Sequence, residues 1–339
     1  MGKVKKDKKD KKEKKKERAE KSQSADPGHP EQKELKLMKK KALSKDSPKV
    51  SSFIYGCWRL LDDPEGADVP RIRQKIDACL ESGISTFDHA DIYGGYGCEE
   101  AFGRALKEAP DLRKHIEIVT KCGIMLVDPA RPENRIKHYD HGGNHVIKSV
   151  ERSLKNLNVD VIDLLLIHRP GPLMDPEELG AALDHMRTSG KIKYYGVSNF
   201  TVSQFKMLNS CTERKLATNQ VEMNPLYQEP FLDGTLDYLI QKQIRPMAWS
   251  PTAGGRIFND TSEASVRVRD AVQEIAARYG MEMDQVLYSW LLMHPSNPAI
   301  ILGTNKPERI RRAVESKTRH LDKQDWYAIW SAGNGQEVP

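Results

Sequence analysis

The chain has 339 residues, 38% of them hydrophobic and 30% charged, enough apolar material for one large domain or two ordinary ones. Its formal charge of +6 is unevenly spread: residues 1–50 carry 19 Lys and Arg against 9 Asp and Glu, so the remainder is slightly acidic. No apolar run reaches the roughly 18 residues of a membrane-spanning helix, and five scattered cysteines without CxxC spacing exclude a disulfide framework or a cysteine zinc site.

The first 48 residues, containing KVKKDKKDKKEKKKERAEK, cannot bury apolar surface and are expected to be a disordered basic extension. They lack the apolar core of a signal peptide, and Lys6 stands where a myristoylation site needs Ser or Thr. The plain reading is a solubilising leader. The functional one is an arm for nucleic acid or another acidic partner, although no aromatic residue interleaves with the lysines to stack on bases. Unpaired cysteines suit a reducing compartment, so a cytoplasmic protein is expected. The extension also accounts for much of the low mean hydropathy of −0.65.

From about residue 52 the pattern becomes regular. Short apolar runs, SSFIYGCW, GISTFDH, IEIVTK, VIDLLLIH, KYYGVSN, LATNQVE, IRPMAWS and AIILGT, read as buried parallel strands. Between and after them the spacing predicts helices over 71–82, 98–108, 144–157, 176–189, 201–210, 232–243, 265–280 and 307–316. Two more are expected at 284–293 and 322–333. Thr201 is placed to cap its helix, Pro307 suits a first turn and Gly190 a C-terminal cap. Eight strand–helix units over 49–339 match a (β/α)8 TIM barrel. A doubly wound sheet is the alternative, but its G-x-G-x-x-G after the first strand is absent.

Four polar side chains fall at or just past strand ends: Asp88 and Tyr93 in TFDHADIYG, Lys121 in IEIVTKCG and His168 in LLLIHRP. In a barrel those ends share one face, with neighbouring strands about 4.8 Å apart. A phenol has a pKa of about 10 and is a poor acid alone; an adjacent ammonium is expected to lower it. Asp88 would hold Lys121, and His168 would orient a substrate oxygen. Taken singly, Asp88 also suits a turn, Tyr93 a packed aromatic, Lys121 a solvated strand end and His168 a structural histidine.

At these motifs, together with KIKYYGVSNF, NQVEMNPLYQ and AWSP, the sequence resembles the aldo-keto reductase superfamily in its bacterial-type oxidoreductase branch, over about residues 50–320. The resemblance implies a barrel that reduces aldehydes or ketones to alcohols with NADP(H), Tyr93 acting as general acid beside Asp88, Lys121 and His168. It implies that Ser198, Asn199 and Gln220 meet the nicotinamide carboxamide and that Trp249 stacks on its ring. Ser250, Pro251, Thr252, Gly254 and Arg256 would cover the pyrophosphate, joined by Cys57, Trp58 and Arg59 of GCWRL. Gly303, Thr304, Asn305, Arg309 and Arg312 would face the adenosine end. Gly303 and Ala313 depart from the usual basic residue and Asn there. Trp58, Tyr93 and His168 would touch a small carbonyl substrate, and the insert 123–143 would overhang the site. No metal is implied. A family alternative is a cofactor-binding regulatory subunit with little turnover, using the basic arm for a partner.

Overall fold

The computed structural model describes residues 40–339. The expected extension therefore lies, up to residue 39, outside the described residues. Eight parallel strands close into a barrel in chain order: β1 (Phe53–Gly56), β2 (Thr86–Asp88), β3 (Glu117–Cys122), β4 (Ile162–Ile167), β5 (Ile192–Ser198), β6 (Asn219–Glu222), β7 (Met247–Trp249) and β8 (Ala299–Leu302), with β8 returning to β1. The helices that follow them are α1 (Val69–Glu81), α2 (Cys98–Glu108), α3 (Gly143–Leu157), α4 (Pro176–Thr188), α5 (Val202–Ser210), α6 (Thr235–Gln241), α7 (Glu263–Tyr279) and α8 (Pro307–Ala313). Two further helices, Met283–Leu292 and Lys323–Asn334, pack outside. No described helix is long and apolar enough to cross a membrane.

The strands are apolar on both faces because each face meets a different core. Alternate residues, among them Ile54, Val119, Leu164, Leu166, Met247 and Ile301, fill the barrel interior. Those between them, such as Phe53, Phe87, Ile118 and Leu165, pack beneath the helices. Register carries this alternation to the upper rim. Gly56 pairs with Asp88, Asp88 with Val119, Lys121 with Leu166, and Ser198 with Gln220. Inward positions that are apolar at mid-strand thus become polar at the carboxyl end.

Helix ends follow local chemistry. Thr201 accepts from the Gln204 amide in a capping box, and Pro307 opens α8. Gly190, at φ +76°, terminates the α4 segment. The element expected over 232–243 is broken: α6 starts only at Thr235, after Gly234 turns at φ +84°. The last unit ends as α-helix at Ala313 and continues as a 3-10 turn to Thr318.

Two pieces of structure lay outside the sequence expectations. Residues 40–50, assigned mostly to the extension, form a hairpin in which Lys41–Ala42 pairs with Lys49–Val50. Leu43 and Val50 are buried in the interior cluster, and the Leu43 carbonyl accepts from the Arg245 amide at 2.6 Å. This hairpin plugs the amino-terminal end of the barrel, so the folded body begins before residue 49. The insert after β3 also holds a small hairpin, Ile124–Met125 against His138–Tyr139.

Close helix packing explains one glycine. A Cβ on Gly103 of α2 would lie 1.9 Å from the Asn156 carbonyl oxygen of α3, and α2 cannot retreat because Glu99 accepts from Thr120 of β3 at 2.6 Å. Gly103→Ala should lower unfolding stability by about 1–3 kcal/mol, read as a lower urea midpoint with an unchanged slope. An unaltered midpoint would show that α2 can shift without loss.

Candidate active site

The carboxyl ends of the strands surround a cavity of about 310 Å³. At its floor Lys121, essentially fully buried, donates from Nζ to Asp88 Oδ2 (2.7 Å), the His89 carbonyl (2.8 Å) and the Tyr93 phenol oxygen (2.9 Å). The other Asp88 oxygen accepts from Gln220 Nε2 at 2.9 Å, from across the barrel. Asp88 thus holds the ammonium through one oxygen and is itself held through the other. The His168 ring stands edge-on to Tyr93, with centroids 5.9 Å apart. Its Nδ1 is buried with no partner among the described residues.

Electrostatics divide the roles. Burial alone would depress the Lys121 ammonium, but the charges of Asp88 and Tyr93 raise it above its ordinary value. Burial pushes His168 well below the usual imidazole range, and the cations of Lys121, Arg169 and Lys137 push the same way, so the ring is neutral at pH 7. For Tyr93 the expectation of a lowered phenol is overturned. Lys121 does pull it down, but burial is the larger effect and takes it up to about 12. Tyr93 therefore keeps its proton at neutral pH, 2.9 Å from the Lys121 ammonium.

Above this floor Trp249 is fixed by its indole N–H, which donates to Asn199 Oδ1 at 2.9 Å. Asn199, at φ +60°, donates in turn to Ser198 Oγ (2.8 Å) and to the His168 carbonyl (3.3 Å). Ser198 Oγ donates to the Gln220 carbonyl at 2.9 Å. Further along, Arg59 lies over the Trp58 ring (4.9 Å) and donates to the Gly254 carbonyl at 2.8 Å. A Cβ on Gly254 or Gly303 would come within 3.8 or 3.5 Å of this guanidinium. Arg59 and the two glycines put a cation beside open backbone at this end of the cavity, which fits the phosphates of a nicotinamide dinucleotide. Trp249 fits its ring end, while the amides of Asn199 and Gln220 already donate to the His168 carbonyl, Ser198 Oγ and Asp88.

Of the residues singled out in the sequence, Trp58, Arg59, Asp88, Tyr93, His168, Ser198, Asn199, Gln220, Trp249, Ser250, Pro251, Thr252, Gly254 and Gly303 line this one cavity, with Lys121 directly beneath. Others are not brought to it. Cys57 is fully buried with its sulfur 3.5 Å from His89 Nε2. Arg256 folds back on the Ala253 carbonyl, and Arg312 pairs with Asp284 at 3.0 Å on the helix Met283–Leu292. Thr304 accepts from the Lys306 amide. Arg309 is exposed and makes no ion pair among the described residues. Asn305 spends its amide on structure, accepting from Tyr55 (3.2 Å) and donating to the Arg59 carbonyl (2.6 Å).

Two lining cations were not anticipated, Lys137 and Arg169. Each had a signal: Arg169 directly follows His168, and Lys137 lies in the insert expected to overhang. The small hairpin Ile124–Met125/His138–Tyr139 carries Lys137 to the rim.

A model described as the aldo/keto reductase family matches residues 52–334. An oxidoreductase of Escherichia coli (strain K12), YdhF, is 48% identical over 303 residues, covering 89% of this chain and all of the relative. A 6-dehydroglucose reductase of Agrobacterium fabrum is 44% identical over 301 residues, with the same coverage. Among solved structures, a thermostable aldo-keto reductase in complex with the inhibitor epalrestat superposes with a TM-score of 0.72 at 25% identity, covering 87% of this chain and all of that one.

The loop bearing Arg59 is anchored by a buried ion cluster. Asp63 meets Arg71 at 2.8 Å and Lys75 at 2.7 Å, and Arg71 also donates to the Asn305 carbonyl. Against the upward push of burial, hydrogen bonds from Arg71 and Lys75 hold the Asp63 carboxyl down to about 2. A depressed carboxylate stabilises the fold fully above its unfolded value of about 3.9, and the contribution disappears as pH falls through the folded value. Asp63→Asn should cost about 3–5 kcal/mol at pH 7 by stranding the Lys75 ammonium. The gap from the native protein, read by urea unfolding at several pH values, should narrow between pH 4 and 2. A gap that stays constant over that window would contradict this account.

Proposed function

We propose, from the premise that the chain belongs to the aldo/keto reductase family, that it reduces aldehydes and ketones to alcohols with NADPH, using Tyr93 as the general acid. The observation that carries this reading is the phenol of Tyr93 held 2.9 Å from a fully buried, carboxylate-anchored ammonium at the floor of the cavity. When bound, a reduced nicotinamide would supply the hydride that the carbonyl carbon receives. The protein's own part is to deliver a proton and to stabilise charge on oxygen.

As negative charge builds on the substrate oxygen, Tyr93 gives up its proton and becomes phenolate. Lys121 stabilises that anion at hydrogen-bond distance, and Asp88 keeps the ammonium aimed there. His168, neutral, donates an N–H toward the same oxygen. The phenolate then recovers its proton from solvent, so one hydride and one proton have converted the carbonyl to an alcohol. Trp58 and Trp249 would be flat apolar walls of the cavity, and Arg59 beside Gly254 and Gly303 would hold the dinucleotide phosphates. The 6-dehydroglucose reductase among the relatives makes sugar aldehydes a natural class to assay. The regulatory alternative is not favoured, since the four groups that proton delivery requires are all assembled.

Tyr93→Phe should lower kcat by about 10²–10⁴-fold while NADPH binding, followed by fluorescence titration, changes little. A loss smaller than tenfold would remove Tyr93 from the role of acid. For the cofactor, Arg309 follows Thr304 and Asn305 in the first turn of α8, exposed and without an ion pair among the described residues. Arg309→Ala should weaken NADPH by about tenfold or more and NADH far less, and equal weakening of both would end the assignment to the 2′-phosphate.

A further inference from the structure

The substrate side of the cavity holds two cations that the fold does not use. Lys137, on the rim hairpin, makes no hydrogen bond or ion pair among the described residues. Arg169 also has no ion pair there, and its guanidinium lies 5.8 Å from the centroid of the Trp249 ring. The structural work at position 169 is done by the main chain, whose carbonyl accepts from His141 at 2.8 Å. Both side chains stand close enough to His168 for their charges to act on its imidazole.

No nearby carboxylate pairs with either among the described residues: Asp140, Asp175 and Glu178, which share a second pocket with Lys137, accept from the Gly142, Glu177 and Gly143 amides. Asp88 is committed to Lys121 and Gln220. Glu222, which feels the charge of Arg169, is bound to Asn224 at 2.9 Å, and burial pushes its carboxyl up. The cavity therefore presents two uncompensated positive charges beside the group that receives the carbonyl oxygen. They lie on loops after two different strands, clear of Arg59. Unpaired cations in a partly enclosed cavity favour a charge-assisted contact, about twice as strong as a neutral hydrogen bond.

We propose that Lys137 and Arg169 form an anion subsite that selects carbonyl substrates bearing a carboxylate or phosphate a few atoms from the reacting carbon. This rests on the reductase reading and names its substrate class. An apolar aldehyde of the same length would leave both cations without a partner. A hydroxylated neutral one would accept hydrogen bonds from them but bring no charge to neutralise theirs.

The test compares kcat/KM for matched pairs with NADPH: 4-oxobutanoate against butanal, and glyceraldehyde 3-phosphate against glyceraldehyde. The charged member of at least one pair should be favoured by about tenfold or more, and added salt should erode the preference. Lys137→Met and Arg169→Met should each cut that ratio by about tenfold, whatever happens to turnover of the neutral partner. A carboxylate-only or phosphate-only preference identifies which anion the subsite takes. A native ratio near one in both pairs, or a ratio unchanged in both variants, overturns the proposal while leaving the reductase reading intact. If no aldehyde is turned over, the reductase reading fails instead. Quenching of tryptophan fluorescence by 4-oxobutanoate and by glyceraldehyde 3-phosphate then decides the subsite: saturable quenching lost in the variants sustains it, and no saturable quenching by either overturns it.

Discussion

A lysine ammonium buried at the floor of a barrel is the constraint on which the rest of this architecture turns. Removing an ion from water is expensive by several kcal/mol, and a lone buried lysine answers by releasing its proton. Lys121 does not, because Asp88 accepts from it on one side and Tyr93 and the His89 carbonyl complete its donors. Asp88 would pose the same problem in turn, and Gln220 meets its second oxygen. Asp88 and Gln220 are separated by 132 residues, and only closure of β8 onto β1 lets β2 and β6 face each other over one interior. Closing the barrel and charging the site are thus one event.

The same burial acts on Tyr93, the proposed acid. A tyrosine in water already holds its proton at neutral pH, and burial strengthens that hold. For the acid proposed here, a phenol already ionised in the resting site would have no proton to give. The site instead keeps the proton in place and sets the stabilising cation 2.9 Å away. The ammonium therefore acts most strongly once the phenolate forms, and His168, kept neutral by burial and surrounding cations, adds a donor without adding another charge.

Much of this was legible before any coordinates. Strand ends carry their own signature, an apolar run whose last inward residue is polar, and that pattern located Asp88, Lys121 and His168 because parallel register admits few alternatives. The helices were legible for a related reason: caps such as Thr201 and Pro307 mark boundaries locally. What was not legible depended on contacts distant in sequence. The hairpin over 40–50 looks polar and lysine-rich, yet Leu43 and Val50 find a core only because the barrel leaves one open beneath it. Asn305 and Arg312 carry the right chemistry for a ligand, but their side chains are drawn to Arg59 and Asp284 by neighbours that a linear motif does not display. The sign of the Tyr93 shift was likewise hidden, because a pairwise view sees the lysine and misses the depth at which the pair is sunk.

Strand ends and loops divide the work in a way that follows from their rigidity. The groups at the floor lie on β2, β3 and β6 or, for Tyr93 and His168, just beyond β2 and β4, where ladder hydrogen bonds fix the backbone. Lys137 and Arg169 lie on loops beyond β3 and β4, long flexible cations for which an approximate position suffices, since charge attracts over several ångströms. Such residues can change without disturbing the barrel or its floor. On the reading proposed for this site, discrimination among carbonyl compounds falls to the loops, where altering one cation would change which substrate is held while Asp88, Lys121 and Tyr93 keep the same floor.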